Sequence, residues 1–214
     1  MKKLISLVCI SMFMIILCGC SNNDFSTGSS AKAEQVDSSY LDDYAVNPQV
    51  PDDGTLLTVG QSVKDGKGEA TLQKINLTEQ STGIGSIQLT VKDTKLIHLF
   101  PDYSMTDYFH GLTHNEEFDF VKIFVEIENS SNEKLNFAPI AIIETNTGEK
   151  LSWEQDIYLE NLNGEMEKKT TKKGNLGFIV DSKDNLEWIE ITTSDVFDKN
   201  EKKIADAQKF RIEF

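Results

Sequence analysis

The sequence predicts an all-β chain, with an antiparallel β-sandwich over residues 55–214 reached through a signal segment and a flexible tether. Three observations carry this expectation. Beyond Leu56, apolar residues recur at alternate positions in short runs, the period of a strand with one buried face. Turn signals separate the runs: Asp65-Gly66, Thr147-Gly148 and Asn163-Gly164 supply residues that tolerate positive φ. No stretch sustains helical periodicity over three turns, and no internal repeat is present.

The clearest strand is Phe118 to Asn129. Val121, Ile123, Val125 and Ile127 share one face, and Lys122, Glu126 and Glu128 take the other. Leu89 and Val91 continue in phase to Ile97 and Leu99 on a second long strand. Leu176, Phe178 and Val180 form a third inward set, and Phe210, Ile212 and Phe214 a fourth. Ile189 and Ile191 mark a further strand with Trp188 outward. The best short helical segment is Asp102 to Gly111, inside a connection.

The first twenty residues have a different logic. Lys2-Lys3 precedes an apolar run from Leu4 to Leu17, which is too short to remain as a membrane span and is shaped as a secretory signal. The segment Leu17-Cys18-Gly19-Cys20 resembles the lipobox of bacterial lipoproteins. That resemblance implies a signal peptide over 1–19. It also implies a thioether-linked diacylglycerol on Cys20, with a further N-acyl chain of the palmitate type as the other covalent lipid. Two acyl chains hold a protein stably where one binds marginally. The expected location is the extracytoplasmic face of the cell membrane.

Charge and cysteine usage agree with that address. The formal net charge is −14, and loss of Lys2 and Lys3 with the signal leaves −16. Such a chain repels phosphate backbones, which excludes nucleic acid as an expected partner. Of the three cysteines, Cys9 and Cys18 fall in the signal and Cys20 takes the lipid, so the folded part is expected to hold itself by packing alone. Residues 20–54 read as lipidated Cys and tether, rich in Ser, Asn, Gly and Asp. As a coil the tether spans roughly 30 Å. Tyr40, Leu41 and Tyr44 are read as incidental aromatic and apolar residues of this spacer.

Several segments together resemble the telokin-like, immunoglobulin-like domains of Gram-positive lipoproteins. They are the strand Phe120–Ile127 ending in Glu128-Asn129-Ser130-Ser131-Asn132, then Leu135-Asn136-Phe137-Ala138-Pro139 and the turn Asn146–Lys150. Gly164, the segment Lys173–Val180 with its glycines before a central Phe178, and the closing Lys209–Phe214 complete the set. The resemblance covers residues 60–214. It implies an immunoglobulin-like sandwich, and the family has no shared catalytic residues to transfer. The stretch Phe100 to Glu117 departs from the pattern, being richer in His and aromatic residues than the neighbouring loops.

That departure is where binding chemistry is expected. Tyr103, Tyr108, Phe109, His110 and His114 form the candidate binding surface, because large apolar groups on a loop either fold back or hold a partner. All the histidines, His98, His110 and His114, lie in this neighbourhood with Asp102, Asp107, Glu116 and Glu117. They are weak metal candidates: Gly111 interrupts the helical spacing that would align His110 with His114. No metal and no dissociable cofactor are expected. Lys168, Lys169, Lys172 and Lys173 form a basic cluster that reads as a solvated hairpin. Asp195, Asp198 and Asn200 lack the spacing and the glycine of a calcium loop. Nucleophile elbows, phosphate-binding glycine loops and Cys/His pairs are absent, so no enzymatic activity is expected. The expected function is a lipid-anchored binding or adaptor domain for a membrane or cell-wall protein. The alternatives are a metal or small-ligand capture protein and an exclusion or immunity lipoprotein.

Overall fold

Alternation of the kind seen in 118–129 buries one face of a strand, yet the central strand here is buried on both. The computed structural model describes residues 39–42, 44–181 and 185–214. The signal segment, Cys20 and the first part of the tether lie outside the described residues.

The fold is all-β, with antiparallel sheets in a sandwich-like arrangement. The large sheet runs β1 (Ser62–Asp65), β2 (Gly68–Asn76), β4 (Ile87–Pro101), β5 (Phe118–Asn129), β10 (Thr170–Val180), and β3 (Gln80–Ile84) also pairs with β4. A second sheet runs β14 (Lys209–Glu213), β11 (Trp188–Thr192), β7 (Ile142–Thr145), β8 (Lys150–Ser152). A third runs β13 (Lys203–Ala205), β12 (Val196–Asp198), β6 (Leu135–Phe137), β9 (Gly164–Met166). Val121, Ile123, Val125 and Ile127 meet Leu176, Phe178, Ile143, Ile189, Ile191 and Val196 in one apolar core between the large sheet and the smaller ones. Each such side chain removed from water contributes about 1.5–3 kcal/mol.

The opposite face of the large sheet carries its own core. Ala70, Leu72, Ile97, Leu99, Phe118 and Phe120 are covered by Val50 and Leu56 from the preceding segment, by Phe109, and by Ile157 and Tyr158. This overturns the reading of Leu89, Val91, Ile97 and Leu99 as one face. Leu89 and Val91 belong to the first core, and Ile97 and Leu99 to the second. A bulge between Val91 and Asp93 is the reason: one extra residue, Lys92, reverses the parity of everything after it.

The solvated face expected for Lys122 is also absent, because Lys122 is fully buried. Lys95 lies directly opposite it in the β4–β5 register, an arrangement of like charges that is unfavourable unless acids intervene. Two do. Lys122 Nζ lies 2.7 Å from Asp93 Oδ1 and 3.3 Å from Asp53 Oδ2, and Lys95 Nζ is 2.7 Å from the same Asp53 oxygen. Lys95 also donates to the Asp53 carbonyl at 2.7 Å. Burial alone would raise the Asp53 carboxyl, but the Lys122 and Lys95 charges hold it below the ordinary carboxylate range. For Lys122, burial works against the charge, and Asp53 and Asp93 reverse that and raise its pKa.

Asp53 belongs to the stretch expected to be tether, so the folded part begins before residue 55. Tyr40 donates to Asp93, and the rings of Tyr40 and Tyr44 stand edge-on to Phe124 at 5.1 and 5.4 Å. Asn47 Nδ2 donates to the Tyr158 carbonyl and to Glu160 Oε1, each at 2.9 Å. The aromatics of the spacer are thus anchors of a strap across the sheet. Asp53→Ala strands two buried lysines on Asp93 and is expected to cost about 3–5 kcal/mol in urea unfolding. Adding Lys95→Met removes the surplus charge, so the double variant should be more stable than the single. A double variant of lower stability contradicts the shared-charge account.

Candidate functional site

The connection between β4 and β5 is the tip on which the binding residues were expected. Its entry is fixed by a close backbone approach. At Gly68 (φ 146°) a Cβ would lie 2.4 Å from the Phe100 carbonyl oxygen, so a side chain there would push β2 off the end of β4. Asp102 then caps the next turn, its Oδ1 accepting from the Ser104 amide at 3.0 Å. A 3-10 turn over Tyr103–Met105 runs into the short helix α1 (Thr106–His110), and the Leu112 and Thr113 amides close onto the Phe109 carbonyl. The helical segment read in 102–111 is therefore present, as two short turns.

The tip is held down by aromatic contacts. Phe109 packs on Phe118 at 5.0 Å between ring centroids, and Tyr108 stands edge-on to Phe109 at 4.9 Å. The Tyr108 hydroxyl donates to the Ile157 carbonyl at 2.7 Å, and burial raises its pKa. Phe109 is 2% exposed. These two of the five expected surface residues are folding residues. Tyr103 is displayed, at 92% exposure, and His110 and His114 are exposed. Beside Tyr103 and His110 lies a groove of about 380 Å³, whose lining includes Phe100, Pro101, Phe109 and Glu116. His114 is not part of that lining. Phe100, where the expected binding stretch begins, is the exposed apolar end of β4 and lines the groove.

The histidines do not converge on one centre. His98 is on β4, with Nδ1 3.1 Å from Asp119 Oδ1 and Nε2 3.6 Å from Glu117, and ties the start of β5 to its neighbour. Among the described residues, no group of three or more His, Cys, Asp or Glu side chains is disposed to hold a metal ion. The basic cluster is occupied structurally. Lys173 donates to the Tyr40 and Asp42 carbonyls, Lys172 to the Asn161 carbonyl at 3.1 Å and Lys169 to the Ser130 carbonyl.

The carbonyl that receives Tyr108 belongs to a connection pinned by Asp156. Its carboxylate accepts from the amides of Gly177 (2.8 Å), Tyr158 (3.0 Å) and Leu159 (3.2 Å). At Gly177 a Cβ would meet the Tyr158 ring at 2.7 Å, so the glycine lets this connection lie flat on β10. Burial outweighs the three donors and raises Asp156 from 3.8 to about 6. An acid whose folded pKa is raised holds its proton more tightly in the fold. Stability therefore rises as pH falls through about 6, and the gain levels off below the unfolded value of 3.8. The Asp156→Asn protein cannot follow this titration. Between pH of about 7.5 and about 4.5, the stability of the parent relative to the variant should rise by about 2 kcal/mol. A difference that stays constant over that range contradicts the assignment.

The chain is similar to proteins of Bacillus and Listeria. It is 50% identical over 239 residues to the uncharacterized protein YdhF of Bacillus subtilis (strain 168), covering 100% of both chains. No family model matches. Among solved structures, a functionally unknown protein of Listeria monocytogenes EGD-e is similar at a TM-score of 0.49 and 13% identity, over 69% of this chain and 87% of that one. A Bacillus subtilis protein described as "putative lipoprotein (ycdA)" is similar at a TM-score of 0.38 and 21% identity, over 64% and 39%.

Proposed function

The chain belongs to the family of YdhF of Bacillus subtilis, and we propose that it is a lipid-anchored extracytoplasmic lipoprotein with a non-enzymatic binding domain. In this reading Cys20 carries the diacylglycerol, the signal over 1–19 is removed, and the sandwich is a telokin-like variant of the immunoglobulin-like fold. The anchor rests on the basic, apolar and Leu-Cys-Gly-Cys pattern of the first twenty residues. Among the described residues no helix is long and apolar enough to cross a membrane. In this reading the lipid holds the chain at the surface.

The observation that carries the binding role is the tip. Tyr103, Phe100 and Leu112 stand in solvent at its surface, while Phe109 and Tyr108 beneath them are locked into the second core. An apolar surface on a rigid support favours binding, because the partner orders few protein side chains on docking. The proposed partner is a peptide segment of a membrane or cell-wall protein, seated in the Phe100–Tyr103–His110 groove.

Two experiments test this. Labelling with an alkynyl palmitate should mark the parent chain and not Cys20→Ala; equal labelling removes the anchor. A photo-crosslinking amino acid at position 103 should give a discrete adduct in intact cells, whereas one at the exposed Ile204 position should not. Tyr103→Ala with Phe100→Ser should abolish capture of the same adduct from position 112. Surface changes of this kind leave stability within about 0.5 kcal/mol. Adducts of equal yield from 103 and 204 contradict the proposed surface.

A further inference from the structure

A second cleft, of about 560 Å³, opens at the connection between β8 and β9, away from the tip residues named above. Its most unusual feature is backbone conformation. Leu159 (φ 53°) and Asn161 (φ 55°) both adopt the left-handed region, which asparagine tolerates and leucine disfavours. Leu159 donates its backbone N–H to Asp156 Oδ2 at 3.2 Å and is 63% exposed. An apolar side chain kept in solvent by a strained backbone contributes nothing to folding; strain of this kind gathers at ligand sites.

The remaining lining has a consistent chemistry. Trp153 is 49% exposed, its indole displayed on a 3-10 turn that Gln155 fastens by accepting from the Ser152 amide at 2.9 Å. Asn136 and Asn161 are exposed on the lining, and Asn163 Oδ1 is shielded with no hydrogen-bond partner. Each side-chain amide offers paired donors and an acceptor in one plane.

We propose that this cleft binds a neutral saccharide. An indole face takes the C–H face of a pyranose ring, and planar amides pair with adjacent hydroxyl or acetamido groups. Leu159 and Leu162 supply the apolar wall. Glu154 and the chain's net charge of −14 disfavour acidic sugars. The role assigned to the site is binding, with both oxygens of Asp156 accepting from backbone amides of its own connection and of Gly177. This site is independent of the groove at the tip.

The test is a tryptophan-emission titration of the full chain with triacetylchitotriose, cellotriose and trigalacturonate, each to about 10 mM, since millimolar affinity is the weakest that would serve. A saturable response to at least one neutral trisaccharide, with none to trigalacturonate, is expected; the responding sugar tells acetamido from hydroxyl recognition. Trp153→Ala should remove the signal, and Trp188→Phe should keep it, because Trp188 is stacked under Arg211 at 3.5 Å and is not part of the cleft lining. Asn136→Ala, at an exposed position of β6, should weaken binding by about tenfold when followed by calorimetry. The proposal is overturned if neither neutral sugar binds, if calorimetry shows unchanged affinity in Trp153→Ala, or if tetraproline binds in their place.

Discussion

Two lysines face each other across the centre of the large sheet, and neither reaches water. That pair sets the terms for everything laid over this face. Asp93 neutralises one charge from within the sheet, but only Asp53, arriving from outside it, can serve the other. The strap is therefore an electrostatic requirement of β4 and β5. Hydrophobic burial of Val50 and Leu56 then becomes available along the same path. A buried quartet of this kind contributes less to net stability than an apolar patch of equal size would. It does fix register, because a slip of β4 by one residue would turn Asp93 and Lys95 away from Lys122 and Asp53.

From the strap the constraint passes outward. Asn47 ties the strap to Tyr158 and Glu160, Asp156 and Gly177 hold that connection to β10, and the Ile157 carbonyl receives Tyr108 from the tip. The groove at Phe100 and Tyr103 is thus supported by a chain of named contacts that begins at Asp53. The same connection carries Trp153 and Leu159 of the second cleft, whose lining shares no residue with the groove at the tip.

The first core was legible in the sequence because its strands obey a strict period of two, and the inward residues of β5, β10 and β11 were identified on that basis. The second core was not, for three physical reasons. The bulge at Lys92 reverses parity, and a parity change leaves no mark on a sequence that is apolar on both sides of it. A lysine on a strand reads as solvated until its acids are found, and Asp53 lies 42 residues from Lys95. The strap has no periodicity, since it is held at single points such as Tyr40, Tyr44, Asn47 and Asp53. At the tip, composition located a candidate surface, but it could not separate Tyr103, which is displayed, from Phe109, which is buried in the helix that follows. The Trp153 cleft left a faint trace in the Ser152–Gln155 pattern of a turn start, ahead of an exposed tryptophan.

The most direct measurement compares urea unfolding of a chain beginning at Val36 with one beginning at Thr55, where the apolar alternation starts. With the strap present, a single cooperative transition is predicted. Without it, Lys95 and Lys122 share Asp93 alone, and the shorter chain should lose about 3 kcal/mol or more, with β4 and β5 amides exchanging early. Equal stability of the two chains would show that the sheet does not depend on Asp53, and would contradict the account at its root.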